Sequence, residues 1–336
     1  MEKRAAQKGY RVAIVGATSL RGKELKELLA ASPLPVEKLT LLDDDEALGQ
    51  LTDYQGEPTV VQTIAPETFQ AGEVVFFAST TPDFTRKHWR RAAAADAVII
   101  DLSHALLEEP RAAVRAAFLP NNEYGSVLRW VVSPHPAVLV LLALLRPLDA
   151  RFGLVRAVAN VFEPVSECGT AALDELREQT ARLLSFQKFP RAIFDAQLAF
   201  NLLAGYGSQS QLRLDQVESV VARELERCAP ALAARTALRF LQAPVFHGLA
   251  LSLWVDFQQT PELAAVETAL AGTHVHVVRQ DVTVPAITDS AGREDILVGP
   301  VVGDHSHTSA VWLWAVADNL RLAARNALEL AEALVT

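Results

Sequence analysis

Few residues of this 336-residue chain have the types and spacing to carry chemistry. Gly16, Ser19 and Gly22 stand three apart, between a β-branched run at Tyr10 to Val15 and a Leu-, Glu- and Lys-rich stretch at Lys23 to Ala31. A glycine-spaced turn between a strand and a helix lets the backbone approach a pyrophosphate at the positive end of the helix. The middle position is Ser19 rather than glycine, and its Cβ sits where closest approach is wanted. The turn therefore reads equally as a cofactor cradle and as a structural strand–helix turn. The next apolar run ends in Asp43, Asp44, Asp45 and Glu46. An acidic residue there can hold the ribose hydroxyls of NAD and would repel the extra phosphate of NADP. Most runs of this kind are simply solvated acidic turns.

Two His-x-His pairs, His274/His276 and His305/His307, have metal-ligand spacing on a strand face. No acidic or cysteine partner lies near either in sequence, so no metal is expected. The two cysteines, Cys168 and Cys228, form neither a disulfide framework nor a Cys-x-x-Cys pair and read as reduced thiols. Lys and Arg number 31 against 40 Asp and Glu, a net charge of −9. That sign disfavours phosphate backbones and anionic lipid surfaces, so neither nucleic acid nor membrane is expected as a partner. The longest apolar run, Pro136 to Leu145, falls short of the ~18 residues a spanning helix needs. Met1 to Tyr10 lacks the apolar core of a signal peptide. The expected compartment is the cytoplasm.

The elements that position these residues change grammar along the chain. Short apolar runs at Leu39–Leu42, Glu73–Ala78 and Ala97–Asp101, with a helical stretch at Phe84–Ala95, follow the first strand–turn–helix. Continuous apolar strands between helices predict a doubly wound, Rossmann-like parallel sheet. After about residue 130, long alternating stretches replace the short runs. Leu249, Leu251, Leu253, Val255 and Phe257 alternate with Gly248, Ala250, Ser252, Trp254 and Asp256, which predicts a strand with one face on a core. Further strands are expected at Phe152–Phe162, His274–Arg279 and Thr308–Trp314. Helices are expected at Thr170–Leu184, Asp215–Arg227 and Pro261–Ala271, and one opened by Pro136. This second domain reads as α+β with a mixed or antiparallel sheet. An amphipathic helix over Asp318–Leu334 closes the chain. The expected division is a dinucleotide-binding domain over 1–130, completed by a C-terminal helix over 315–336, and a dimerisation and substrate domain over 131–314.

Several strings together resemble the aspartate-β-semialdehyde dehydrogenase family over essentially the whole length. They are Leu313-Trp-Ala-Val-Ala-Asp-Asn-Leu-Arg321 running on to Ala327, the opening Val15-Gly-Ala-Thr18, Ile100-Asp-x-Ser103-x-Ala105, and Val165-Ser-x-x-Gly169 leading to Glu175-Leu176. The resemblance implies a dinucleotide domain with Gly16, Thr18, Ser19, Gly22, Asp43 and Asn319 as the residues next to a cofactor. It also implies a homodimer formed by the middle domain. The family reduces an acyl phosphate through a thioester, which demands a cysteine nucleophile, a histidine acid/base and cations for phosphate and carboxylate.

Position by position, those groups are replaced. Ser133-Pro-His-Pro136 and Arg146-Pro-Leu148 align the nucleophile with Pro136, which offers neither a thiol nor an N–H. In Gln242-Ala-Pro-Val-Phe-His-Gly-Leu249, the arginine becomes Gln242 and the histidine Leu249. His247 lies two residues earlier, and the alternation of the strand puts it on the same face as Leu249, one pleat away. A phosphate-holding arginine falls on Leu107, the substrate glutamine on Glu163, and a helix lysine on Glu218. Each change makes an anionic acyl phosphate less welcome. The pattern resembles a catalytically degenerate, Usg-type paralogue. It implies a non-catalytic, dimeric binding or regulatory protein with no required cofactor, which pairs with itself or with an active family member. The alternative is an NAD-dependent oxidoreductase acting on another aldehyde or oxo group, with His135 or His247 as acid/base. A third reading is a sensor for an uncharged or cationic metabolite, favoured by Glu163 and Glu218.

Overall fold

The computed structural model describes residues 9–119, 128–278 and 283–335. The expected strand end at Arg279 and the segment Met1–Lys8 lie outside them. The chain forms two compact units, residues 1–134 with 323–336, and residues 135–322.

The first unit begins with β1 (Tyr10–Val15), α1 (Leu20–Ala31), β2 (Val36–Leu42), β3 (Leu51–Tyr54) and β4 (Glu57–Gln62). It continues through β5 (Val74–Phe77), α2 (Pro82–Ala94), β6 (Val98–Asp101), β7 (Ala113–Val114) and β8 (Trp130–Val132). Its sheet has the order β3-β4-β2-β1-β5-β6-β8-β7, and every pairing is parallel except β3 with β4. Val12, Ile14, Val74, Phe76 and Ile100 are wholly buried, which explains why these strands read as unbroken apolar runs. β1 lies between β2 and β5, so the strand order reverses beside Gly16, the switch point of an open α/β sheet. The β3–β4 hairpin was not legible as strands. Its turn is Gln55-Gly56, with φ of 54° and 84°, a two-residue turn without the usual Asn or Asp.

The second unit begins with α3 (Pro136–Phe152), β9 (Leu154–Glu163), α4 (Thr170–Leu184), α5 (Leu214–Cys228), α6 (Pro230–Ala233), β10 (Thr236–Gln242) and β11 (Leu249–Phe257). Then come α7 (Leu263–Leu270), β12 (Val275–Val277), β13 (Ile296–Val298), β14 (Val302–Gly303), β15 (Ala310–Ala317) and α8 (Asn319–Val335). The sheet order is β10-β9-β11-β15-β13-β12, with β14 also on β15. β11 runs antiparallel to β9 and β15, while β10 is parallel to β9 and β12 to β13, so the sheet is mixed. Leu249, Leu251, Leu253 and Val255 are fully buried on one face, as their alternation predicts. On the other face, Trp314 donates its indole N–H to the Pro285 carbonyl at 2.8 Å, and Ala250 is fully buried. The chain itself covers that half of the face. Trp254 pairs with Trp312 across β11 and β15, and Trp312 remains 40% exposed.

The expected start of the completing helix at 315 is corrected by these pairings. Residues 315–317 belong to β15, opposite Leu249, Ala250 and Leu251, so 315–322 fold with the second unit. Ala323, Ala324, Ala327, Leu328 and Ala331 of α8 join the core of the first.

Candidate active site

In the first unit the Gly16–Gly22 turn is held by its own side chains. Gly16 has φ +82°, and a Cβ there would lie 2.6 Å from the Ser79 nitrogen. A Cβ on Gly22 would lie 2.2 Å from the Gly16 carbonyl oxygen. Both glycines are thus required by close packing, whether or not a ligand binds. Ser19 caps α1: its Oγ accepts from the Gly22 N–H at 2.9 Å and donates to the Ala78 carbonyl at 2.7 Å. Asp43 is turned inward as well. Its Oδ2 accepts from both the N–H and the hydroxyl of Thr18 at 2.7 Å, and its Oδ1 from the Asp44 N–H. Asp44 caps the short turn at Asp45–Ala47. The four acidic residues are therefore partly structural, and Asp43 clamps the Gly16–Gly22 turn through Thr18. Leu107, in the turn after β6, is 5% exposed.

In the second unit the substituted positions Glu163, Gln242 and Leu249 lie at one end of the sheet. β9 ends at Glu163, which pairs with Gln242 at the end of β10, while β11 begins at Leu249 opposite Ala317 at the end of β15. His135 and Pro136 open α3, and Pro136 occupies its first turn as expected. The His135 Nδ1 accepts from the Ala137 N–H at 3.2 Å as an N-cap. Its Nε2 lies 3.1 Å from Glu163 Oε1 and 3.7 Å from Glu167 Oε2, and its backbone N–H donates to Glu224 Oε2 at 2.8 Å. His135 is 3% exposed, Glu163 2% and Glu224 0%.

Burial alone would lower the His135 pKa, but the carboxylates of Glu163, Glu167 and Glu224 outweigh it and raise the pKa to about 9. A second proton on Nδ1 gives up the cap bond, worth ~1 kcal/mol. Breaking a buried ion pair costs about 3–5 kcal/mol. The carboxylates thus favour the imidazolium, while the Ala137 cap bond favours the tautomer protonated on Nε2 alone.

Gln242 is fully buried, and its amide donates to the Glu163 carbonyl at 2.8 Å. Its Oε1 accepts from the Tyr206 hydroxyl at 2.7 Å and from the Cys168 thiol at 3.8 Å. Burial first, then the nearby Cys168 and Glu163, hold the Tyr206 phenol well above its usual range, so it stays protonated and donates.

Glu218, expected to repel a substrate anion, accepts from the Phe240 N–H at 2.9 Å and so occupies an edge-strand donor. Asn319 is fully buried. Its Oδ1 accepts from the Gly248 N–H and the Ser166 hydroxyl, and its Nδ2 donates to Ser166 Oγ and to Glu167 Oε1. The Asn319 amide is thus engaged within the second unit. His247 is corrected too: β11 starts only at Leu249, after Gly248 with φ +91°, so the alternation does not reach back to an exposed His247. Among the described residues neither His-x-His pair belongs to a group of three possible metal ligands, and His307 packs edge-on against Trp254. Sequence reasoning missed Glu167, Cys168, Tyr206 and Glu224. Only the Glu163-x-x-x-Glu167 spacing at a strand end carried a signal for any of them.

Residues 11–144 match the model of the semialdehyde dehydrogenase NAD binding domain, and residues 145–322 that of the semialdehyde dehydrogenase dimerisation domain. The chain belongs to the semialdehyde dehydrogenase family. Within it, the chain is 32% identical over 330 residues to the USG-1 protein homolog of Azotobacter vinelandii, covering 96% of this chain and 97% of that one. It is 26% identical over 334 residues to the aspartate-semialdehyde dehydrogenase of Rickettsia bellii, covering 98% of each. A probable aspartate-semialdehyde dehydrogenase of Pseudomonas aeruginosa has a solved structure that superposes with a TM-score of 0.88 at 30% identity, covering 98% and 99% of the two chains. Aspartate semialdehyde dehydrogenase II of Vibrio cholerae, solved in complex with ASA, gives 0.87 at 26% identity with the same coverage. The semialdehyde dehydrogenase scaffold is thus complete, in a Usg-type paralogue. No helix among the described residues is long and apolar enough to cross a membrane.

Proposed function

We propose that this chain is a non-catalytic member of the semialdehyde dehydrogenase family that acts in the cytoplasm as a dimeric binding or regulatory protein. The observation that carries the reading is the start of α3. Pro136 fills the first helical position, so the place where the family chemistry needs a thiolate and an N–H for the oxyanion has neither. Around it, Glu163, Gln242 and His135 satisfy one another, with a carboxylate facing inward where the family substrate carries negative charge. Leu249, fully buried on β11, has no proton to exchange. The dimerisation domain supports a homodimer, and the half-exposed Trp254 and Trp312 are the apolar area a second subunit would cover. Pairing with an active family member uses the same surface.

No cofactor is required for this role. The turn keeps the shape of a nucleotide cradle, but the Thr18 and Gly22 amides and both Asp43 oxygens are taken up internally. NAD would bind weakly there, and NADP is disfavoured by Asp43–Glu46. The second reading, an NAD-dependent oxidoreductase, is favoured by one feature, the His135–Glu163 pair at 3.1 Å, which has acid/base geometry. Calorimetric titration with NAD separates the two, because the oxidoreductase needs micromolar-range binding and the non-catalytic protein does not.

A further inference from the structure

We propose that the Thr18 hydroxyl locks Asp43, the carboxylate placed to take the adenosine ribose of NAD, and so sets how tightly the first unit binds a dinucleotide. The lock rests on the reading above, in which the turn keeps a cradle's shape but binds NAD weakly. Asp43 directly follows β2, which lies beside β1 at the point where the strand order reverses. In an open α/β sheet an acidic side chain there accepts from the two ribose hydroxyls. Here Asp43 is 9% exposed and already occupied. A carboxylate has about four acceptor positions on its two oxygens. The Thr18 N–H and hydroxyl, each at 2.7 Å, fill Oδ2, and the Asp44 N–H at 3.0 Å takes one place on Oδ1. One place remains, and a ribose diol brings two donors.

Of the three donors, only the Thr18 hydroxyl can turn away. The Thr18 N–H belongs to a turn whose Gly16 and Ala17 N–H groups both donate to the Leu42 carbonyl, at 2.8 and 3.1 Å, and the Asp44 N–H lies next to Asp43 itself. The backbone of Asp43 is held as well, its N–H donating to the Gln62 carbonyl at 3.0 Å, so the carboxylate stays beside the turn. The hydroxyl is a rotor, but its bond to a mostly buried carboxylate is of the stronger, charge-assisted kind. Ribose must therefore displace it or settle for half of its contact. Removing the hydroxyl leaves the charge of Asp43 where it was, so a 2′-phosphate is repelled as before. The lock thus acts on NAD and not on NADP.

The test is calorimetric titration of the full chain with NAD and with NADP, for the parent, Thr18→Val, Thr18→Ser and Thr18→Val/Asp43→Asn. Thr18→Val keeps the branched shape and the N–H bond and loses only the hydroxyl. One hydrogen bond to a charged group corresponds to about 10-fold or more in an equilibrium constant. Thr18→Val should thus bind NAD at least ~10-fold more tightly than the parent and bind NADP no better. Thr18→Ser restores the hydroxyl and should bind as the parent does, and the double variant should show no gain. Unliganded Thr18→Val should melt below the parent, with a larger upward shift when NAD is added. The parent gives a further arm that needs no variant to fold: with one acceptor place left, it should bind NAD and its 2′-deoxyadenosine analogue within about 3-fold of each other. An unlocked carboxylate would favour NAD by about 10-fold or more. The lock is overturned if Thr18→Val binds NAD no more tightly than the parent, if Thr18→Ser or the double variant gains as much, if NADP gains equally, or if the parent rejects the 2′-deoxy analogue. Micromolar binding of NAD by the parent would instead overturn the non-catalytic reading, and the lock is then still judged by the ratio between Thr18→Val and the parent.

Discussion

Replacing Ser19 by alanine separates the structural and the cofactor readings of the Gly16–Gly22 turn. The change removes two bonds, the cap to the Gly22 N–H at 2.9 Å and the donation to the Ala78 carbonyl at 2.7 Å. An N-cap serine is worth ~1 kcal/mol. The tie across to the end of β5 adds about 1 kcal/mol more. A loss of about 2 kcal/mol in a unit of this size lowers the melting temperature by roughly 4–8 °C. Ser19→Gly loses the same tie, but glycine is itself a tolerated N-cap, so about half the drop is expected. Circular dichroism melts of the three proteins give the stability order, and calorimetry with NAD gives the binding. If the Ser19 Cβ is what keeps a pyrophosphate away, Ser19→Gly binds NAD more tightly than the parent while Ser19→Ala does not. A Ser19→Ala protein that melts within 1 °C of the parent would refute the cap argument, whatever NAD does.

Four shorter expectations follow from other parts of the molecule. Arg235 grips Asp149 at 2.9 and 2.7 Å, and that bond, with help from the Leu154 N–H, holds the Asp149 pKa below the usual carboxylate range. A depressed carboxylate stabilises above its ordinary pKa near ~4 and loses that contribution as pH falls through the folded value. Asp149→Asn should thus cost about 1 kcal/mol at pH 7, and its deficit should shrink as the pH is taken well below the ordinary carboxylate range; equal deficits in urea melts at neutral and acid pH would contradict this. Trp312→Glu replaces a 40% exposed tryptophan on the outer sheet face by a charge and should shift sedimentation equilibrium from a dimer toward one chain mass. A parent protein of one chain mass without concentration dependence would remove the basis for the dimer. NAD should bind weakly and more tightly than NADP; tighter NADP binding in titration would show that Asp43–Glu46 point elsewhere. Gly22→Ala should unfold the first unit or destabilise it by more than ~3 kcal/mol, since its Cβ would meet the Gly16 carbonyl at 2.2 Å; a melt close to the parent's overturns that.

Periodicity made much of the scaffold legible. The expected helix at Thr170–Leu184 matches α4 residue for residue, because its apolar stripe and flanking Gly169 mark both ends. The α5 and α8 predictions fall within a residue or so at each end. Strand β10, by contrast, sets Thr236, Arg239 and Gln242 among Leu238, Phe240 and Leu241 without strict alternation and lies at a sheet edge, so neither alternation nor a buried run marks it. For the site, sequence located Pro136, Glu163, Gln242 and Leu249, which the fold brings to one end of a single sheet. It did not reveal what those residues do to each other. Glu224 reaches His135 from a helix 89 positions away, a contact with no local signature. His247 shows the opposite failure, because a period-2 argument was carried through Gly248, whose positive φ ends the strand.

The central claim is that the semialdehyde dehydrogenase reaction is absent while its scaffold remains. It is tested most directly by phosphate-dependent reduction of NADP with aspartate semialdehyde, using the purified chain beside an active family member under the same conditions. The account predicts a rate at least ~10⁴-fold below the active enzyme. It also predicts that Pro136→Cys stays equally silent, because the thiolate would face Glu163 and Glu167 with Leu249 in place of a proton partner. Turnover at an ordinary enzymatic rate by the unmodified chain would contradict it.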